Sequence, residues 1–266
     1  VLRHLTCVLL LAAAARPAWA WGELAHRRVT TEALETLPRG LKAFYKDHRL
    51  EIPSLGLEPT APEDTPERRF ALDALAAFPF ADIPRTEAAL KARHPDSAGR
   101  VGRLPWLIQE SYGRLVEAFR AGDKARILGE SDVLAALVAD LHNPLALSEN
   151  ADGQRSEQHG LWVRFTQRLP EAMERRLKLD PEAARLLDEP AAYVFSMMTS
   201  VYVWLDNLLH ADELAKRGKA GYTEIYYESF ELRAGRLLRD RLGEAAADAG
   251  SYWYTAWTAA GRPALP

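Results

Sequence analysis

Ser131 reads as the cap of a helix whose apolar stripe is Leu134, Leu137, Val138, Leu141 and Leu145. Steps of three and four residues keep side chains on one helix face, whereas a strand would send them to both faces. The same period returns along most of the chain. His26, Val29, Ala33 and Leu37 share a face, and Pro38 and Gly40 end that helix. Residues 106–120 turn Leu115, Val116 and Phe119 inward. Residues 161–177 and 223–249 read as helical, the latter followed by an aromatic tail, SYWYTAWTAAGRPALP. Residues 191–210 are strongly apolar, but Ser196, Thr199, Ser200 and Asp206 interrupt them, which suits a buried central helix better than a membrane span. Proline- and glycine-rich stretches (51–66 and FPFADIPR, 78–85) and the polar run 148–159 read as loops. No alternating pattern and no internal repeat is visible. The sequence therefore predicts an all-α fold, a single mainly helical domain with long loops.

The first twenty residues have a different logic. Arg3 and His4 precede an apolar core, Cys7 to Ala15, and Ala18-Trp19-Ala20 is a small-x-small cleavage site. This is the pattern of a signal peptide, with an apolar core too short for a stable membrane anchor. The expected division is a signal peptide over 1–20 and one helical domain over 21–266, in an exported protein, periplasmic or secreted. The mature chain would then begin at Trp21. Cys7 is the only cysteine and leaves with the signal, so thiol nucleophiles and thiolate metal sites are not expected. The formal charge of −3 offers no electrostatic footprint for nucleic acid. Gly-x-Ser-x-Gly, the phosphate-binding P-loop, His-Glu-x-x-His and Gly-x-Gly-x-x-Gly are all absent.

Four stretches together resemble one family. They are the cut before WGELAH, then ADLHNPL (139–145) with the Asn-x-Asp-Gly loop at 150–153, then FPFADIPR, and finally the ending YWYTAWTAAGRP. The resemblance is to the zinc-dependent phospholipase C and S1/P1 nuclease superfamily, in its bacterial branch, and it covers most of residues 21–266. It implies a mainly helical phosphodiesterase holding three zinc ions. One zinc would be held by the amine and carbonyl of the mature N-terminal Trp, by a His five residues later and by a bridging Asp. Trp21, His26 and Asp140 match those ligands. An α-amino group has a pKa near 8, so a metal can deprotonate it at neutral pH.

The chain departs from the family elsewhere. The pattern His-x-x-x-Asp-x-x-x-Pro-Leu-His would place ligands where Ala136 and Ala146 stand. The early His-Tyr-x-Asp segment should fall near ERRFALDAL (67–75), yet no histidine lies between His48 and His94. The later His-x-x-x-Asp/Glu falls on Trp162 and Thr166 when aligned on Arg-Phe, or on His159 and Val163. Asp140 and His142 point about 160–200° apart on a helix and cannot readily ligate one ion. His142 reads as packing or as a support behind the ligands, and Asp152 and His159 as members of a polar or substrate-binding loop. Asp73 and Asp82 read as loop caps, and Asp64 and Glu58 as stand-ins for another bridging Asp. Tyr226, Tyr227 and the Trp253–Trp257 tail read as core.

The expectation is an exported relative with a degenerate zinc cluster. It keeps at most one zinc site, not the full three-zinc cluster, and lacks full phosphodiesterase activity. The alternative is an active metal-dependent phosphodiester hydrolase with a reduced site at Trp21, His26 and Asp140. Its partner would be a small phosphodiester, a lipid or a nucleic acid, with no stable membrane span.

Overall fold

The computed structural model describes residues 21–56 and 65–266. The expected signal segment, Glu58 and Asp64 lie outside them. All regular structure among the described residues is helical. The helices are α1 (Glu23–Thr36), α2 (Arg39–Asp47), α3 (Glu87–Arg93), α4 (Leu104–Ala121), α5 (Lys124–Leu141), α6 (Leu161–Val163), α7 (Leu169–Met173), α8 (Pro190–Tyr202), α9 (Leu205–Lys216) and α10 (Glu224–Ala259). Short 3₁₀ turns fill the connections. No helix among the described residues is long and apolar enough to cross a membrane.

Several boundaries differ from the sequence reading, each for a local reason. Helix α5 starts about two turns before Ser131, because Asp123 accepts the Arg126 backbone N–H at 3.1 Å and caps it. Ser131 is buried inside α5, where its hydroxyl meets the Tyr45 hydroxyl at 2.6 Å. The apolar run 191–210 is two helices, α8 and α9, separated by a turn at exposed Val203 and Trp204. The aromatic tail is not a coil, since α10 continues through it to Ala259. The stretch 161–177 is helical only to Met173 and passes through a π turn at Arg164–Arg168. Pro170, one turn on, has no N–H to give the Thr166 carbonyl. That carbonyl instead accepts the backbone N–H of Gly22 at 3.0 Å, which moors the chain just before α1.

Two apolar cores share α1, α5 and α10. One gathers Leu34, Leu41, Phe119, Leu134 and Val138 with Tyr252 and Trp253. The other gathers Trp21, Ala25, Val29, Phe165, Phe230 and Leu238. Helix α10 has 36 residues and supplies the second core from its first two-thirds and the first core from its last third. Tyr45 and Trp253 stack at 4.8 Å in the first core, and Trp253 donates its indole N–H to the Ser131 carbonyl. Gly250 lets α10 press on α1, because a Cβ there would come within 2.0 Å of Thr36 Oγ1. His26 and Asp140 lie where α1 and α5 pass between the two cores.

Candidate functional site

Asp140 is the last acidic residue of α5 and is fully buried. A carboxylate removed from water must find charged or hydrogen-bonding partners. One partner comes from α1, whose His26 Nε2 lies 3.0 Å from Asp140 Oδ1. The other comes from the loop before α3. Arg68 Nε donates to Oδ2 at 2.6 Å, and Arg68 Nη2 stands 2.5 Å from the same oxygen. Both carboxylate oxygens are thus engaged, one by imidazole and one by guanidinium.

The backbone explains why Arg68 arrives there. Segment 67–71 is strapped between two turns. Arg103 and Leu104 donate N–H groups to the Glu67 and Arg69 carbonyls, and Ala71 donates to the Val101 carbonyl. On the other side Phe70 N–H donates to the Ala146 carbonyl at 2.8 Å. The close approach needs Gly102: its φ is +92°, and a Cβ there would come within 2.0 Å of the Arg69 carbonyl oxygen. Arg69 then points its guanidinium over the Trp162 ring at 4.1 Å, a cation–π contact.

His26 and Asp140 are therefore brought together, with Trp21 hydrogen-bonded to the residue before Asp140. Trp21 is fully buried, packs on Phe165 at 5.3 Å and donates its indole N–H to the Ala139 carbonyl at 2.6 Å. The positions where the resemblance leads one to expect further ligands hold residues that offer no metal donor of that kind. Ala136, Ala146, Trp162 and Thr166 are all buried, and the Thr166 hydroxyl is committed to the Trp162 carbonyl at 2.8 Å.

A zinc ion does not fit this set as it stands. Zinc in a protein takes about four donors. Asp140 has given both oxygens away, one to a fixed cation that would repel a second. His26 Nδ1 is buried with no partner, but it is one donor. Among the described residues no group of three or more His, Asp or Glu side chains is placed to hold a metal ion.

The remaining sequence-selected residues lie elsewhere. His142 does point away from Asp140, its Nε2 meeting Asp248 Oδ2 of α10 at 3.0 Å. Asp152 caps α6, accepting the Gly160 and Trp162 N–H groups at 3.0 Å each. His159 is exposed, and its carbonyl accepts from Arg164 at 2.7 Å. None of the three is bonded to His26 or Asp140. Asp73 ties a loop together: it accepts the Ser148 hydroxyl at 2.6 Å, the Glu149 N–H at 2.8 Å and the Tyr202 hydroxyl at 3.2 Å. Its acceptance pushes the Tyr202 hydroxyl, already desolvated by burial, up to about 12. Asp82 contributes only its carbonyl, to Arg93.

Two buried groups escaped the sequence reading. Arg164 pairs in a fork with Asp212, Nε to Oδ1 at 2.9 Å and Nη2 to Oδ2 at 3.0 Å, and holds the 148–160 loop to α9. Asp132 lies two turns before Asp140 on α5 and is held by Ser54 N–H at 3.0 Å, by the Ser54 hydroxyl and by Thr30 Oγ1. Burial raises its pKa above the ordinary carboxylate range, with the Ser54 hydrogen bonds opposing. Arg68 and Arg69 stand in the stretch where the resemblance leads one to expect His-Tyr-x-Asp, but nothing in that pattern tells a buried arginine from a solvated one. Compared with known proteins, the chain matches no family model, and no curated protein matches it significantly.

Proposed function

We propose that this chain is an exported, degenerate relative of the zinc-dependent phospholipase C and S1/P1 nuclease proteins that does not hydrolyse phosphodiesters. One observation carries the reading: the Arg68 guanidinium grips the carboxylate that would bridge metal ions. A permanent +1 charge neutralises Asp140 and locks it to His26. It cannot acidify a water molecule or offer an open coordination position, which are what a hydrolytic metal supplies. The assembly is a structural clasp joining α1, α5 and the 67–71 segment.

The second reading, an active hydrolase with a reduced metal site, draws on the meeting of Trp21, His26 and Asp140 and on the bare His26 Nδ1. It requires Arg68 to leave Asp140. The two separate in one experiment on the mature chain beginning at Trp21. After zinc loading and desalting, the clasp reading expects less than about 0.1 zinc per chain by elemental analysis and no hydrolysis of bis(p-nitrophenyl) phosphate above the no-enzyme rate. Stoichiometric zinc with EDTA-sensitive turnover, lost in both His26→Ala and Asp140→Ala, would overturn it.

A further inference from the structure

A second polar site lies on the far side of α10, independent of the Arg68 clasp. The chain between Leu177 and Leu187 runs along α10, and both leucines are buried as anchors. Its backbone is pinned at one end. Ala184 N–H donates to the Thr36 carbonyl at 3.0 Å, Arg185 N–H to Ser251 Oγ at 3.1 Å and Leu187 N–H to Thr255 Oγ1 at 3.0 Å. Among the described residues no hydrogen bond ties residues 178–183 to α10. A Cβ added to Gly243 would meet only the Asp180 nitrogen, at 4.0 Å. The result is a cleft of about 560 Å³ floored by Gly243, Ala247 and Ser251. That volume is in the range of small-molecule sites, roughly 300–1,000 Å³.

The charges around it are divided unevenly. The carboxylates on α10 are occupied: Asp240 by Arg236, Glu244 by Arg241, and Asp248 by His142 and the Tyr193 hydroxyl. By contrast Lys178, Arg185 and Arg239, and the carboxylates Asp180 and Glu182, line the same cleft without an ion pair among the described residues. Two of them lie only two residues apart on one segment, yet opposite charges there do not close on each other. Arg185 is already oriented, donating to the Tyr193 hydroxyl at 2.8 Å and lying over its ring at 4.9 Å. Behind the wall His142 is buried, and its Nδ1 has no hydrogen-bond partner and faces Glu244 Oε2 at 3.9 Å.

We propose that this cleft binds a small zwitterion of the amino-acid or short-peptide class. A carboxylate suits the guanidinium forks of Arg185 and Arg239. An ammonium suits Asp180 and Glu182. A ligand carrying one sign alone would face two or three of these five charges with the wrong sign.

The test uses diglycine and its two blocked forms, N-acetyl-diglycine and diglycinamide, titrated into the mature chain and read by calorimetry. Diglycine is expected to bind, with each blocked form at least about tenfold weaker. Arg239→Ala should weaken diglycine binding by about tenfold and narrow its discrimination against the amide. Gly243→Leu, on the cleft floor where an added Cβ would touch only the Asp180 nitrogen at 4.0 Å, should fill the cleft and remove binding while the circular dichroism spectrum is retained. No binding of diglycine at 10 mM (about the upper limit for a weak site), or equal binding of a blocked form, would overturn the proposal.

Discussion

Two histidine–aspartate pairs sit at the end of α5, each with 3.0 Å between ring nitrogen and carboxylate. They are completed in different ways. The Asp140 pair is closed by a buried guanidinium, and Asp140 itself is fully sealed. The Asp248 pair is closed by the Tyr193 hydroxyl at 2.7 Å, and Asp248 lines a cleft. The same two residue types thus serve a clasp in one place and a cleft wall in the other. What decides the outcome is the third partner, and that partner comes from a distant part of the chain each time.

The sharpest way to break the comparison is to remove each carboxylate. Asp140→Ala takes the carboxylate away from a buried guanidinium and should cost about 3–5 kcal/mol in urea unfolding. Asp248→Ala takes the acceptor from a buried histidine and a partly buried tyrosine and should cost about 1–3 kcal/mol. Equal losses would show that Arg68 adds nothing to the first pair. Smaller again is the pH dependence contributed by Asp132. Its pKa is raised in the folded chain, so the folded state holds that proton more tightly than the unfolded state does. Its contribution to stability is therefore complete below the unfolded carboxylate value and is lost as the pH rises through the folded value. Unfolding free energies measured at steps between pH 4 and 7 (roughly the span over which a raised carboxyl titrates) should fall less in Asp132→Asn than in the parent. An unchanged slope would place the titration elsewhere.

The helical class was legible because period survives in every long segment, and so was the opposed facing of Asp140 and His142. The meeting of His26 with Asp140 was legible only through resemblance, since 114 residues separate them. Arg68 was not, for a physical reason. An arginine in a proline-flanked polar loop reads as solvated, and only the Gly102 turn and the Ala146 carbonyl reveal that its segment is drawn inward. The break between α8 and α9 was hidden by composition, because apolar residues continue across it.

Helix α10 has a mechanical consequence. Because one uninterrupted hydrogen-bond ladder runs through both apolar cores, fraying that passes inward from either end soon strips side chains from a core. The ladder therefore acts as a spine: it makes the two cores share a single opening event, and it carries the wall of the zwitterion cleft on the segment where they join.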